Sequence, residues 1–269
     1  MIETKEVNFA YRRGEPVLND IDCKIEDGEF VALLGHNGSG KTTLSRLFMA
    51  LTHPRSGEVY VDGADIAKKE PADLADKVGY VFQNPDLQIL EDTVWDEVAY
   101  GPRNKDLPEE KVREQVEEAL AATGLTEFAE VYPRTLSFGQ KRRLGVAAAL
   151  ALNPRTLILD EITNGQDSLE KEQMMNYLRT INEDKGITII LITHDMNIAR
   201  MYARRAIVLH NGNLVFDDVP EELFNGTSDL TDWGLQQPTL ASLSAAFGVY
   251  ALSPDDFCSQ LALKAGEEA

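Results

Sequence analysis

Gly35-His36-Asn37-Gly38-Ser39-Gly40-Lys41-Thr42 most constrains what this chain can become. The run has the spacing G-x-x-x-x-G-K-[ST]. It follows the continuous apolar stretch Phe30-Val31-Ala32-Leu33-Leu34 and precedes a helical pattern from Lys41 to about Leu51 that Pro54 closes. A buried strand, a glycine loop and a helix in that order form a phosphate cradle. Glycines let backbone N–H groups wrap an anion, and the helix start adds a positive field. Lys41 is placed for β- and γ-phosphates, and Thr42 offers an oxygen to Mg²⁺. The chain is therefore expected to be an α/β protein with a P-loop core that uses ATP and Mg²⁺.

A second apolar strand, Thr156-Leu157-Ile158-Leu159, ends in Asp160-Glu161. Open α/β sheets bind ligands at the carboxyl ends of their strands, so these acids belong beside the phosphates. Asp160 suits a water-mediated Mg²⁺ contact, and Glu161 can orient or deprotonate an attacking water. Without the glycine loop, two such acids could equally cap the following helix.

The elements between and around these motifs read coarsely. Strands are expected at Val7–Tyr11, Val17–Ile25, Gly57–Gly63, Val78–Phe82 and Ile187–Thr193, with a turn at Arg13-Gly14. Asn211-Gly212 marks a hairpin, and Pro220–Phe224 a short helix. Pro108 opens a charged helix to about Ala122 with Val112, Val116 and Leu120 on one face. Ser137 caps another helix that ends before Pro154. Residues from about 84 to 152 thus form a helical insert, within an ATPase domain of residues 1–226 that starts with an antiparallel β subdomain. Past Asn225-Gly226 the composition turns polar. Leu240, Leu243 and Phe247 have helical spacing, and Ser253-Pro254-Asp255-Asp256 starts a helix. Residues 227–269 form a small helical extension, a candidate for dimerisation.

Charge and cysteine content narrow the class. Asp and Glu number 45 against 26 Lys and Arg, a net charge of −19, which argues against a free-standing nucleic-acid binder. Cys23 and Cys258 lie far apart, outside any metal or redox spacing, and fit a reducing compartment. Met1–Lys5 lacks the pattern of a signal peptide, and the longest apolar run, Leu144–Leu152, is too short to span a bilayer.

Further short motifs, in their order, resemble the ATP-binding-cassette (ABC) family across most of residues 1–225. Leu136-Ser137-Phe138-Gly139-Gln140 resembles its signature LSGGQ, with Phe138 in place of a glycine. The resemblance implies a Q-loop glutamine at Gln83, a D-loop aspartate at Asp167, a switch histidine at His194 and an adenine-stacking aromatic at Tyr11. It also implies a nucleotide held by residues 35–42 with Thr43, and closed over by Ser137, Gly139 and Gln140 of a second cassette, a copy or a sibling. Ile162 stands where proline is common, and Asn164-Gly165-Gln166 replaces a more usual Ala-Gly-Leu.

Phe82-Gln83-Asn84-Pro85-Asp86-Leu87-Gln88, continued by Thr93–Gly101, resembles the energy-coupling-factor branch, and Gln237–Gly248 loosely resembles that branch's helical extension. That implies import of a vitamin or metal ion, at the cytoplasmic face of a membrane. The partners implied are a transmembrane coupling subunit and a separate substrate-binding membrane protein. Asp86, Glu91, Asp92, Asp96 and Glu97 form an acidic run, with Asp96 and Glu97 as docking candidates for a basic coupling helix; a solvated helix face is the other reading. Other transporters of the family, non-transport cassettes and a nucleotide-gated dimerisation module remain as alternatives. A chromosome or repair protein would need coiled-coil arms, and no heptads occur.

Overall fold

The computed structural model describes residues 1–12, 14–225 and 230–267. Arg13 of the expected turn, the 226/227 domain boundary and the last two residues lie outside the described residues.

The strands are β1 (Ile2–Phe9), β2 (Leu18–Ile25), β3 (Phe30–Leu34), β4 (Ser56–Val61), β5 (Ala64–Asp65), β6 (Val78–Val81), β7 (Thr156–Asp160), β8 (Thr188–Ile192), β9 (Arg205–His210) and β10 (Asn213–Asp218). The helices are α1 (Lys41–Phe48), α2 (Pro71–Leu74), α3 (Val94–Asn104), α4 (Glu109–Thr123), α5 (Phe138–Leu150), α6 (Ser168–Lys185), α7 (Met196–Tyr202), α8 (Pro220–Phe224), α9 (Thr239–Phe247) and α10 (Pro254–Glu267).

Two sheets result. The larger runs β10-β9-β3-β8-β7-β6, parallel except for the β9–β10 hairpin; the smaller, antiparallel sheet runs β2-β1-β4-β5. Every residue of β3, β6, β7 and β8 is buried, as unbroken apolar runs require when both faces of a parallel sheet are covered. One core lies between the two sheets and takes in α1 through Leu44, Leu47 and Phe48. A second packs β7 and β8 against α6 through Met174, Met175 and Leu178.

Between β6 and β7 the chain leaves for the insert, where α3, α4 and α5 bury Val98, Val112, Val116, Leu120 and Leu144 in a core of their own. Ser137 starts α5 with a reciprocal capping box. Its Oγ accepts from the Gln140 N–H at 3.2 Å, while Gln140 Oε1 accepts from the Ser137 N–H at 2.9 Å.

Several sequence expectations need correction. The first strand starts at Ile2 rather than Val7, because its pairing with β2 and β4 begins there. Helix α1 ends at Phe48, short of Leu51. Helix α3 falls within the expected helical insert but its bounds were not read, and α7 escaped recognition. Gly101 and Pro102 break the pattern of α3, and α7 has only 7 residues. Leu240, Leu243 and Phe247 lie in a helix as their spacing predicts, and two of them face outward. Leu243 and Phe247 are about half exposed, while Ala241 and Ser244 are buried. Small residues allow α9 close to Leu223, Phe224 and Leu235, and Phe247 instead meets Phe257 of α10 edge-on at 5.8 Å.

Candidate active site

The glycine loop sits between β3 and α1 as the sequence requires. At Gly35 φ is +145°, and a Cβ there would stand 2.2 Å from the Leu209 carbonyl oxygen, so only glycine fits. Gly40, in a left-handed conformation, opens α1. Lys41 folds back over the loop, donating from Nζ to the Gly35 carbonyl at 2.8 Å and the His36 carbonyl at 3.0 Å. Burial holds its pKa below the usual lysine range, against the pull of Glu161 and Asp160. Ser39 Oγ is buried without a partner among the described residues. His36 lies edge-on to His210 at 5.2 Å, and a Cβ on Gly234 would approach it to 3.1 Å, so the C-terminal extension touches this loop.

Tyr11 flanks the loop from the antiparallel sheet. Its hydroxyl is 3.2 Å from Thr43 Oγ1, and its ring, 58% exposed, stands edge-on to Phe9. A flat aromatic held at one end and open on a face suits stacking on a base.

Asp160 ends β7 and is 6% exposed. Its Oδ2 accepts from the Tyr80 hydroxyl at 2.9 Å and from Thr42 Oγ1 at 3.4 Å. Burial first, then the neighbouring Glu161, pushes its pKa up; the Tyr80, Thr42 and Lys41 contacts oppose this. Glu161 follows with φ +51°, in the left-handed region that a side chain with a Cβ rarely adopts. Its N–H donates to the Ile192 carbonyl at 2.9 Å, which fixes the turn. Its carboxylate gathers three side chains. Oε2 accepts from Gln83 Nε2 at 2.5 Å and from Asn164 Nδ2 at 2.7 Å, and His194 Nδ1 stands 3.5 Å from Oε1. Strain at such a turn is retained where the surroundings over-determine it, as these contacts do.

These groups enclose a cleft of about 500 Å³ lined by Tyr11, Asn37, Lys41, Thr42, Gln83 and Glu161, with Gly38, Gly40, Thr43 and Asp160. Ser137, Gly139, Gln140 and Asp167 do not line it. Asp167 caps α6 instead, its Oδ1 accepting from the Glu170 N–H at 2.8 Å. Phe138 is 44% exposed at the start of α5, under the Arg142 guanidinium at 4.5 Å. Arg142 Nη1 donates to the Ile162 carbonyl, tying the signature segment to the turn after Glu161. The two departures after Glu161 find their reasons here. Ile162 is fully buried in the second core, and Asn164 holds the carboxylate.

Two functional contacts were not read from the sequence. Asn164 was noted only as a departure. Tyr80 was one more apolar residue of a strand; the available signal is that a buried tyrosine hydroxyl needs a partner.

Loop, carboxylates and cleft define a P-loop nucleotide-binding ATPase. The ABC transporter family description matches residues 18–164, so the chain belongs to that family. It is 41% identical to a putative ABC transporter ATP-binding protein of Caldanaerobacter subterraneus subsp. tengcongensis, over 96% of this chain but only 45% of that longer protein. It is 40% identical to the energy-coupling factor transporter ATP-binding protein EcfA1 of the same organism, over 91% of this chain and 90% of that one. Among solved structures it resembles cbiO1 of Clostridium perfringens, described as part of the ABC transporter complex cbiONQ, at TM-score 0.79 and 34% identity, covering 90% and 97% of the two chains. A dimeric ATP-binding cassette in a post-hydrolysis state with ADP and Pi matches at TM-score 0.75 and 32% identity, covering 82% and 99%. Among the described residues no helix is long and apolar enough to cross a membrane.

Proposed function

We propose that this chain is an ATP-hydrolysing subunit of an energy-coupling-factor importer, working in a pair of cassettes on the cytoplasmic face of a membrane to drive uptake of a vitamin or metal ion. The name of the 40% identical relative supports the branch. The convergence of Gln83, Asn164 and His194 on the Glu161 carboxylate carries the chemistry.

In this reading Tyr11 stacks on the adenine, and residues 35–43 hold the phosphates with Lys41 at the β- and γ-positions. The orphaned Ser39 Oγ fits a loop built to meet an anion. Thr42 Oγ1 and Asp160 Oδ2, both hard oxygens and 3.4 Å apart, suit Mg²⁺, with Gln83 beside them. Bound there, Mg²⁺ neutralises charge on the phosphate oxygens. Glu161 accepts a proton from the attacking water, Gln83 and Asn164 hold its carboxylate, and His194 supports the water from its exposed side. Ser137 and the Gly139 N–H close the γ-phosphate of the partner cassette from the start of α5. ATP then becomes part of the dimer interface, so binding closes the pair and hydrolysis opens it.

The docking surface differs from the acidic run expected. Glu97 is 8% exposed, and its Oε2 accepts the N–H groups of Leu90 and Glu91, each at 2.8 Å. Asp96 pairs with Arg103 at 2.8 Å, and Asp86 with Lys141 at 2.8 Å. The charges are largely answered within the chain, so Asp96 and Glu97 shape the surface rather than offer it free. What remains open is a groove of about 300 Å³ beside Phe82, Leu87, Leu90, Glu97 and Lys141, with Leu87 77% and Leu90 67% exposed. A coupling helix docks there through apolar contacts.

The decisive experiment is purification from membranes with identification of the co-purifying chains, for the parent and for Leu87→Asp with Leu90→Asp. The expected result is a transmembrane subunit and a small substrate-binding membrane protein, both lost in the variant while ATP binding persists. Partners of a transporter without a separate binding protein, or retention in the variant, overturn the branch or the surface respectively.

A further inference from the structure

Helix α7 carries a buried arginine that ATP chemistry does not use. Arg200 is 4% exposed and lies where the extension packs on the core. Its Nη2 donates to Ser244 Oγ of α9 at 3.4 Å, and its guanidinium stands 4.8 Å from the ring centre of Tyr250. Among the described residues its Nε has no partner. Among the described residues it forms no ion pair; Asp256 feels its charge only at longer range. Arginine stays protonated in proteins, and a buried charge without a counter-charge is unfavourable.

Arg200 opens onto a cleft of about 440 Å³ bounded by α6, α7, the start of α8 and the segment after α9. Arg179 and Arg204 line the same cleft. Arg179 Nη2 donates to Asn176 Oδ1 at 3.2 Å, with its guanidinium 5.8 Å from the Tyr202 ring centre. Arg204 pairs with Glu183 at 3.2 Å. The acids in the wall are Glu183 and Glu221, and the other titratable groups are Tyr202 and Tyr250. Three guanidiniums thus face two carboxylates, on a chain whose net charge is −19.

We propose that this cleft binds a phosphate-type oxyanion, carried by a small molecule or by a lipid headgroup, with Arg200 as its buried anchor and Arg179 as its outer contact. Guanidinium groups suit phosphate oxygens because each presents several fixed N–H donors. Arg200 belongs to the ATPase core, while Ser244 and Tyr250 belong to the extension, so an anion on Arg200 fastens one to the other.

The test uses the full chain carrying Lys41→Ala, so that phosphate at the glycine loop does not mask the second site. Inorganic phosphate is titrated calorimetrically, and vesicles with and without anionic phospholipid are tested by co-sedimentation. Arg200→Gln and the exposed pair Arg179→Ser with Arg204→Ser are compared with this parent. The expected result is phosphate binding that weakens at least tenfold in each variant, with a raised thermal midpoint in phosphate that both variants lose. If Arg200→Gln does not fold, the rim pair alone decides. Sedimentation with anionic vesicles that depends on Arg179 and Arg204, without free-phosphate binding, assigns the headgroup as the source. Equal phosphate affinity in all variants, or no binding to phosphate or vesicles, overturns the proposal.

Discussion

Gln83 and Glu161, 78 positions apart, share a 2.5 Å hydrogen bond from the amide of one to the carboxylate of the other. One follows the edge strand β6 and starts the helical insert; the other follows β7 beside it. The amide that holds the proposed base therefore belongs to the segment that reaches the docking groove.

Glu161→Gln is expected to bind ATP with affinity close to the parent while turnover falls about 100- to 10,000-fold, the usual worth of a general base. Gln83→Ala should lose less, because Asn164 still holds the carboxylate. Phosphate release, with nucleotide binding measured separately, checks both. Parent-level turnover in Glu161→Gln removes the role assigned to that carboxylate.

Tyr80→Phe removes the hydroxyl that donates to Asp160 inside the sheet. The loss of a buried hydrogen bond to a charged group is about 1–3 kcal/mol. Urea unfolding should show that destabilisation, with slower Mg²⁺-dependent turnover. An unchanged unfolding midpoint would mean that Asp160 is satisfied without Tyr80.

The thiols should react unequally. Burial above all, with Asp217 and Glu29 nearby, pushes the Cys23 thiol up to about 12, while Cys258 is exposed. Iodoacetamide at pH 8 is expected to modify one thiol in the native chain and two after denaturation, since the thiolate is the reacting form. Mass spectrometry of the labelled peptides gives the answer.

Arg205 binds both oxygens of Asp217, at 2.6 and 2.8 Å, with Glu29 at 3.0 Å and the Lys24 carbonyl at 2.8 Å. It joins the β9–β10 hairpin to the strands before the glycine loop. Arg205→Met leaves two carboxylates together, each about a quarter exposed, and is expected to cost roughly 2 kcal/mol, below the fully buried case. Arg205→Lys should recover only part of this, because a lysine cannot reproduce the paired geometry. Thermal unfolding of both variants measures the difference.

The central sheet and the nucleotide cleft could be read from the sequence because their signals are local. Phe30–Leu34 leads into a glycine loop, and Thr156–Leu159 leads into two acids, so each segment states its own geometry. What escaped depended on distant partners. Tyr80 is one apolar residue among others until Asp160, 80 positions on, accepts its hydroxyl. Glu97 belongs to an acidic run until the chain folds back and sets Leu90 and Glu91 over it. The spacing of Leu240, Leu243 and Phe247 announces a helix but not its inner face, because close packing placed Ala241 and Ser244 inside, and counting large apolar residues cannot register that choice.

The helical insert departs from one end of β6 and rejoins at the opposite end of its parallel neighbour β7. Its two chain connections lie at opposite ends of the sheet's outer margin. Between them α5 is seated on the sheet through Val146 and Ala149 and bound by Arg142 to the Ile162 carbonyl, so Ser137 at its start is held in register with the strand end that carries Glu161.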